Sequence, residues 1–274
     1  MTPAPDLFDL ELALLLEGIY RRYQYDFRQY AMSSLRRRID QARERLGCGT
    51  LSALQERVLR EPAVFQELLP YLTVQVSEMF RDPPFFVALR ERVAPLLATY
   101  PLIRAWVAGC ATGEEVYSLA ILLREEGLLE RTTIYATDIN PQALARAEAG
   151  IYDAERTRGF SDSYRAAGGK GSLADYYTAA YDAVVLDKSL KAGVVFSDHS
   201  LATDQVFAEV QLVLCRNVLI YFNRELQDRA VALFRDSLCR GGFMGLGAKE
   251  TIRFTRHEAA FTPVVAAERI YQRT

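Results

Sequence analysis

From residue 103 onward, short apolar segments alternate with amphipathic ones, and this rhythm constrains the fold more than any other feature of the chain. Ile103-Arg-Ala-Trp-Val-Ala108 reads as a buried strand, Gly109-Cys-Ala-Thr-Gly113 as a turn, and Glu114–Glu125 as an apolar helix. Thr133-Ile-Tyr-Ala-Thr137 predicts a second strand that ends at Asp138, with Pro141 in the first-turn position that favours a helix start. Val194-Val-Phe196 and Val210-Gln-Leu-Val-Leu-Cys215 predict further strands, followed by a helix over residues 224–239 and the run Gly241-Gly-Phe-Met-Gly-Leu-Gly247. Strands that alternate with helices imply an α/β fold with a mostly parallel, doubly wound sheet. Residues 151–193 interrupt the alternation with Ser, Gly and Tyr, and the short run Tyr181-Asp-Ala-Val-Val-Leu186 points to a small inserted antiparallel β-subdomain.

Residues 6–75 keep a helical period instead: Leu7, Leu10, Leu14, then Tyr30, Leu35, Ile39, Leu46, then Leu51, Leu54, Val58. Gly47-Cys-Gly-Thr50 ends one helix and offers Thr50 as the N-cap of the next, and Glu61-Pro62 marks another boundary. After Arg81-Asp-Pro-Pro84 an amphipathic helix (Phe85, Phe86, Leu89, Val93, Leu96, Leu97) leads to Tyr100-Pro101. The expected division is an N-terminal all-α domain over residues 1–78 and a larger domain over 79–274, with the insertion at about 151–193.

With 274 residues, half of them apolar, the chain can bury a sizeable core. The first residues hold Asp6, Asp9 and Glu11 rather than a basic leader, and no apolar run reaches membrane-spanning length, so a cytoplasmic protein is expected. Cys48, Cys110, Cys215 and Cys239 form no CxxC pair and the only histidines are His199 and His257, so neither a metal site nor a disulfide framework is expected. Cys110 and Cys215, at strand ends, read as small buried hydrophobes.

In an open α/β sheet the ligand lies beyond the carboxyl ends of the strands, and the first strand–helix turn holds a nucleotide-like cofactor. Here that turn runs from Gly109 to Gly113 into Glu114 and Glu115, which is not G-x-G-x-x-G. Two carboxylates on a helix N-terminus repel a pyrophosphate and attract a cation. S-adenosylmethionine, with an ammonium, a sulfonium and no phosphate, fits such a turn, and NAD or ATP does not. Glu114 and Glu115 also complement the helix dipole, and one can do each job. Asp138, about 25 residues after Gly113, stands where this fold places a ribose-binding acid, and it equally suits a cap for the helix at Pro141. Arg216-Asn217, at a later strand end, suits either a ligand's polar parts or a structural turn.

Several blocks together resemble the chemotaxis-receptor glutamate O-methyltransferases, the CheR family. They are Gln75-x-Ser77-x-x-Phe80-Arg81-Asp82-Pro83, Ala111-Thr-Gly-Glu-Glu-x-Tyr-Ser118, Ala136-Thr-Asp-Ile-Asn140, Ala149-Gly-Ile-Tyr152 and Cys215-Arg-Asn-Val-Leu-Ile-Tyr-Phe222, in family order across nearly the whole chain. The resemblance implies a Rossmann-like class I methyltransferase sheet with a helical N-terminal domain and a small β-subdomain, and methyl transfer from S-adenosylmethionine to receptor glutamates. Carried over by position, the cofactor site comprises Gln75, Ser77, Arg81, Glu115, Asp138, Ser200, Leu201, Arg216 and Asn217. The family has Asn and Thr where this chain has Gln75 and Ser77, and Asn-Leu where it has Ser200-Leu201, so one amide is lost at Ser200.

A glutamate with a pKa of about 4.3 is already ionised at neutral pH, so the transfer needs no general base. Arg81 is the candidate to steer that carboxylate, with Tyr221 supplying a hydroxyl; a salt bridge at the domain joint is the other role for Arg81. Residues 21–45 carry eight arginines against three acids, a net +5. Arg36, Arg37 and Arg38 therefore suit acidic receptor helices, while a solvated helix face fits too; no stacking aromatics point to nucleic acid. Residues 182–191 are short for the family's tail-tethered form, which implies an enzyme independent of a receptor tail peptide. Two other classes stay open: a methyltransferase of the same fold for another acid or protein, and a non-catalytic module that senses the cofactor.

Overall fold

The computed structural model of the chain describes residues 6–274. Its contacts divide into two compact units. The first contains the chain up to Val74, Ser200–Asp204 and Ile220–Ala230; the second contains Gln75–His199, Gln205–Leu219 and Val231–Thr274.

The first unit is built on four helices, α1 (Leu7–Tyr23), α2 (Met32–Arg45), α3 (Leu51–Arg60) and α4 (Pro62–Leu72). Their inward faces follow the helical period: Leu12, Leu15, Leu16 and Ile19 on α1, Leu35, Ile39 and Ala42 on α2, Leu51, Leu54 and Val58 on α3. Thr50 caps α3, its hydroxyl oxygen accepting from the Ala53 N–H at 3.1 Å, and Pro62 occupies the first turn of α4. Tyr23 stacks on Phe65 with ring centroids 4.2 Å apart.

The second unit opens with α5 (Pro83–Ala88), a π-helical turn (Leu89–Val93) and α6 (Ala94–Leu97). The single amphipathic helix expected here is thus interrupted. In the π turn the buried Arg90 directs its guanidinium to Glu126 at 3.0 Å, to Glu125, and to the Ala167 carbonyl at 3.1 Å. There follow β1 (Ile103–Ala108), α7 (Glu114–Glu125), β2 (Thr132–Asp138), α8 (Pro141–Ala149), β3 (Ile151–Asp153), α9 (Thr157–Ala166), β4 (Tyr177–Ala180), β5 (Ala183–Leu186), β6 (Val194–Asp198) and β7 (Val210–Cys215). The chain closes with α10 (Arg224–Ser237), β8 (Leu238–Leu246), β9 (Phe261–Val265) and β10 (Ile270–Arg273).

Seven strands form one sheet in the order β6-β2-β1-β7-β8-β10-β9. The five from β6 to β8 run parallel, and β10 and β9 are antiparallel. The alternation of strand and helix therefore does give a doubly wound sheet. The terminal hairpin, β9 with β10, was not expected from the sequence, and β8 begins at Leu238, directly where α10 ends.

The insertion is a three-stranded antiparallel sheet, β3-β5-β4, as its alternating run suggests, and it also contains α9, which only Phe160 and Tyr164 anchor inward. Phe160, Tyr164, Leu173, Val184 and Leu186 belong to the same apolar core as Val116, Leu119 and Leu123 of α7. This explains why α7 is buried nearly all round rather than along one stripe. Among the described residues no helix is long and apolar enough to cross a membrane, and no group of His, Cys, Asp or Glu is placed to hold a metal ion.

Candidate functional site

β1 lies between β2 and β7, so the chain leaves it in opposite directions and opens a crevice at the strands' carboxyl ends. The glycine turn that follows β1 is fastened to β2, with the N–H groups of Gly109 and Cys110 both donating to the Thr137 carbonyl, at 2.8 and 2.9 Å. Gly109 and Gly113 have φ of +73° and +91°, and a Cβ at Gly113 would stand 2.7 Å from the Ala147 Cβ on α8. The turn is therefore a close-packed backbone cradle that no side chain could enter.

Asp138 anchors this cradle. Its buried carboxylate accepts from the Ala111 N–H at one oxygen and from the Asn140 N–H at the other, each at 2.9 Å, and Gln75 adds a side-chain hydrogen bond. Burial pushes the Asp138 pKa up, against the pull of those donors. The cap of α8 falls instead to Asn140, whose side-chain oxygen accepts from the Gln142 N–H at 2.9 Å and the Ala143 N–H at 3.3 Å. Asp138 is thus not the cap that its position beside Pro141 also suited. Gln75 keeps a buried Oε1 without a partner among the described residues, an acceptor suited to a ligand's N–H or O–H.

The two glutamates opening α7 divide their work. Glu114 is fully buried and spends both oxygens on protein, pairing with Arg156 at 2.9 Å and accepting from the Thr112 hydroxyl at 2.7 Å. Glu115 pairs through Oε2 with Arg216 at 2.8 Å. Burial pushes its pKa up and the Arg216 charge pulls it back down.

Arg216, with a side chain 1% exposed, is a hub. Besides Glu115 it reaches the Asp82 carboxylate and the Arg81 carbonyl, each at 2.8 Å, and its guanidinium lies 4.2 Å from the centroid of the Phe85 ring. Of its nitrogens only Nε lacks a partner. Arg81 itself carries no ion pair among the described residues; Arg216 holds its backbone carbonyl, and its charge helps lower the Glu115 pKa. Phe80 and Asp82 on either side have φ of +52° and +55°, and the Phe80 N–H is fixed by the Ser118 hydroxyl at 2.8 Å. Such strain in non-glycine residues survives only where surrounding contacts impose it.

Asn217 has the same left-handed backbone, φ +61°, and is held through its N–H by Glu250 at 2.9 Å. The same Glu250 oxygen accepts from the Gly247 N–H at 2.6 Å, tying the exit of β7 to that of β8. Sequence reasoning missed Glu250; a buried acid three residues beyond the Gly247 turn is its only local signal. Ser77 contributes its carbonyl to Arg156. The second unit thereby brings Gln75, Ser77, Arg81, Glu115, Asp138, Arg216 and Asn217 into linked segments. Five carboxylates (Asp82, Glu114, Glu115, Asp138, Glu250) there face three guanidiniums (Arg81, Arg156, Arg216). A net acidic cradle with spare acceptors fits the cationic, phosphate-free S-adenosylmethionine.

The other candidate residues lie in the first unit. The Ser200 N–H donates to Asp204 at 2.9 Å, its hydroxyl accepts from the Ala202 N–H at 3.3 Å, and Leu201 is buried. The Tyr221 carbonyl accepts from the Ala31 N–H at 2.8 Å, and the Arg38 guanidinium stands 5.6 Å from the Tyr221 ring centroid. Arg38 bonds the carbonyls of Ser34 and Leu72, each at 3.1 Å. Arg36 is ion-paired with Asp6 and with Asp9, the latter at 2.7 Å, whereas Arg37 is exposed and has no carboxylate partner among the described residues. The net +5 read from residues 21–45 is thus partly neutralised by acids outside that segment, Glu17 pairing with Arg21 and Arg28 as well.

A doubly wound sheet with a glycine cradle and a net acidic cofactor crevice defines a class I S-adenosylmethionine-dependent methyltransferase. Residues 75–269 match the family described as "CheR methyltransferase, SAM binding domain", and residues 10–73 match "CheR methyltransferase, all-alpha domain". The chain belongs to the CheR methyltransferase family. It is 58% identical over 266 residues to "Putative methyltransferase Cher3" of Pseudomonas putida, covering 97% of each chain. It is 29% identical over 250 residues to "Chemotaxis protein methyltransferase" of Listeria monocytogenes, covering 90% of this chain and 92% of that one. To "Chemotaxis protein methyltransferase 1" of Pseudomonas aeruginosa it is 29% identical over 244 residues, covering 82% and 83%.

Proposed function

We propose that this methyltransferase esterifies glutamate side chains in the cytoplasmic helices of chemoreceptors, releasing S-adenosylhomocysteine. The observation that carries the proposal is Arg81, whose guanidinium has no ion pair among the described residues, on a strained loop that Arg216 and Ser118 hold in place. Such a group can take a substrate carboxylate by charge-assisted hydrogen bonding without first breaking an internal bridge. When bound, S-adenosylmethionine supplies the methyl group on a sulfonium centre. Asp138 would accept from the ribose hydroxyls, with Gln75 and Ser77 as further polar groups for the cofactor. Glu115, aimed by Arg216, would attract the cationic end, with Asn217 beside it.

The incoming glutamate is already ionised, so the chain's residues need only desolvate and aim it. Its oxygen would take the methyl group in line, the bond to sulfur breaking with its electron pair left on sulfur. Arg81 would orient that carboxylate. Among Arg36, Arg37 and Arg38, Arg37 retains an uncompensated charge for an acidic helix, and the enzyme meets the membrane only through its receptors, in the cytoplasm. Transfer of tritiated methyl to receptor cytoplasmic domains, by the parent chain and Arg81→Ala, tests this. Base-labile label on glutamate, lost in the variant while S-adenosylhomocysteine still binds, supports the assignment. Cofactor binding with no label on any receptor domain defeats it and leaves another acceptor or a sensing module.

A further inference from the structure

The Ala149-Gly-Ile-Tyr152 block plays no part in the chemistry above, yet it places two side chains of the insertion directly on the cofactor cradle. α8 ends at Gly150, φ +67°, where a Cβ would stand 2.6 Å from the Tyr117 hydroxyl, and the chain turns at once into β3. The Tyr152 hydroxyl on β3 donates to the Thr112 carbonyl at 2.7 Å, inside the glycine turn. Four residues on, Arg156 pairs with Glu114 at 2.9 Å, and the other Glu114 oxygen accepts from the Thr112 hydroxyl at 2.7 Å. The second arm of Arg156 holds the Ser77 carbonyl, and its guanidinium rests 4.9 Å from the Phe160 ring centroid. Thr112 is thereby held at its carbonyl by Tyr152 of the insertion and at its hydroxyl by Glu114 of α7, which the insertion's Arg156 holds in turn.

We infer that Tyr152 and Arg156 are positioning residues for S-adenosylmethionine: the insertion forms one wall of the cofactor site and sets the shape of its glycine turn. Glu114 is fully buried, so losing Arg156 strands its carboxylate away from water, and losing the Tyr152 hydroxyl frees the partly buried Thr112 carbonyl. β2 fixes the turn at Gly109, Cys110 and Ala111, and Ala111 is held there at a positive φ that a non-glycine residue keeps only under such contacts; Thr112 is the residue of the turn that the insertion fixes. Coupling through Thr112 also predicts that the two grips are not independent. This inference rests on the cofactor assignment behind the proposed function and not on the glutamate acceptor, so its test reads cofactor binding and leaves methyl transfer out.

The experiment compares Tyr152→Phe, Arg156→Ala, Arg156→Lys and the double variant Tyr152→Phe/Arg156→Ala. Each is titrated calorimetrically with S-adenosylhomocysteine, and amide hydrogen exchange is followed in the ligand-free protein. Each single removal is expected to weaken binding on the order of tenfold, with faster exchange at Thr112 and Gly113 and unchanged exchange along the rest of α7. The double variant should lose less than the product of the singles, and Arg156→Lys should recover part of the affinity by keeping one of the two arms. Affinity within about twofold of the parent in both singles overturns the inference. So does an affinity loss accompanied by equally faster exchange over the whole of α7, which would mark general loosening.

Discussion

The two units of the molecule use their charged residues in opposite ways. In the helical unit the ion pairs are exposed and local in effect: Arg21 with Glu17, Arg60 with Glu56, Arg43 with Asp40, Arg36 with Asp6 and Asp9. In the sheet unit the pairs around the site each have at least one side chain withdrawn from water, Arg216 with Glu115 and Asp82, Glu114 with Arg156, and Arg90 with Glu125 and Glu126, while pairs at its surface such as Arg165 with Asp162 stay exposed. Exposed pairs trade one well-solvated state for another and contribute little. Buried pairs have given up their hydration, so their geometry is imposed by partners and cannot relax into water. The helical unit is held by its apolar faces, whereas the loops of the sheet unit are held by charge.

Removing Arg216 is the strongest way to break this contrast. Arg216→Leu leaves Glu115 buried without its counter-charge and releases Asp82 and the Arg81 carbonyl together. Urea denaturation should show a loss of about 3 kcal/mol or more, with binding of S-adenosylhomocysteine severely weakened. Adding Glu115→Gln to Arg216→Leu should restore part of the stability, because no stranded charge then remains. If Arg216→Leu unfolds at the parent's midpoint, the hub is decoration and the contrast fails.

Asp138 offers a finer test, through pH. Burial raises its pKa in the folded chain, so relative to unfolding its contribution to stability is complete below the ordinary carboxylate value of about 3.9 and is lost as pH rises through the folded value. Ligand binding should run the other way, since ribose hydroxyls donate best to the ionised form. Affinity for S-adenosylhomocysteine should therefore fall as pH drops through the raised value, and binding there should release a proton, visible in calorimetry across buffers of different ionisation heat. Asp138→Asn should bind on the order of tenfold more weakly at neutral pH and lose most of that pH step. Glu115, which burial also pushes up, accounts for the remainder. An unchanged pH profile in Asp138→Asn would place the titrating group elsewhere.

How much of this was legible beforehand depended on whether a feature is local. α7 occupies residues 114–125 as its apolar run indicates, β7 matches residues 210–215, and Thr50 caps α3, because each follows from neighbours within a turn or a strand. α9 escaped because only Phe160 and Tyr164 face inward, too few to display a period. The C-terminal hairpin escaped because its strands are short and interrupted by Pro263 and the turn before Ile270. At the site, Glu115, Asp138 and Arg216 stood out as polar residues at strand ends and a helix start. What they bind did not: the Arg216–Glu115 bond spans 101 residues and the Asn217–Glu250 bond 33, and nothing local encodes either. Tyr152 was visible only as part of a block, and Arg156 not at all.

The smallest expected effects lie in the helical unit, and there the contrast can be sharpened. Thr50→Ala removes a backbone-satisfying cap and should cost about 1 kcal/mol in urea denaturation. Arg36→Ala removes two ion pairs, to Asp6 and Asp9, yet should shift the midpoint less than Thr50→Ala does, because all three side chains are about half exposed and water replaces what is lost. Whatever shift Arg36→Ala produces should fade as salt rises from about 0.01 M to 1 M, whereas the Thr50→Ala loss should persist, since a short hydrogen bond within one turn is not screened. A large, salt-resistant loss in Arg36→Ala would mean that this pair organises α1 and α2 as Arg216 organises the loops of the sheet unit. The division of labour between exposed and buried charge would then not follow the boundary between the two units.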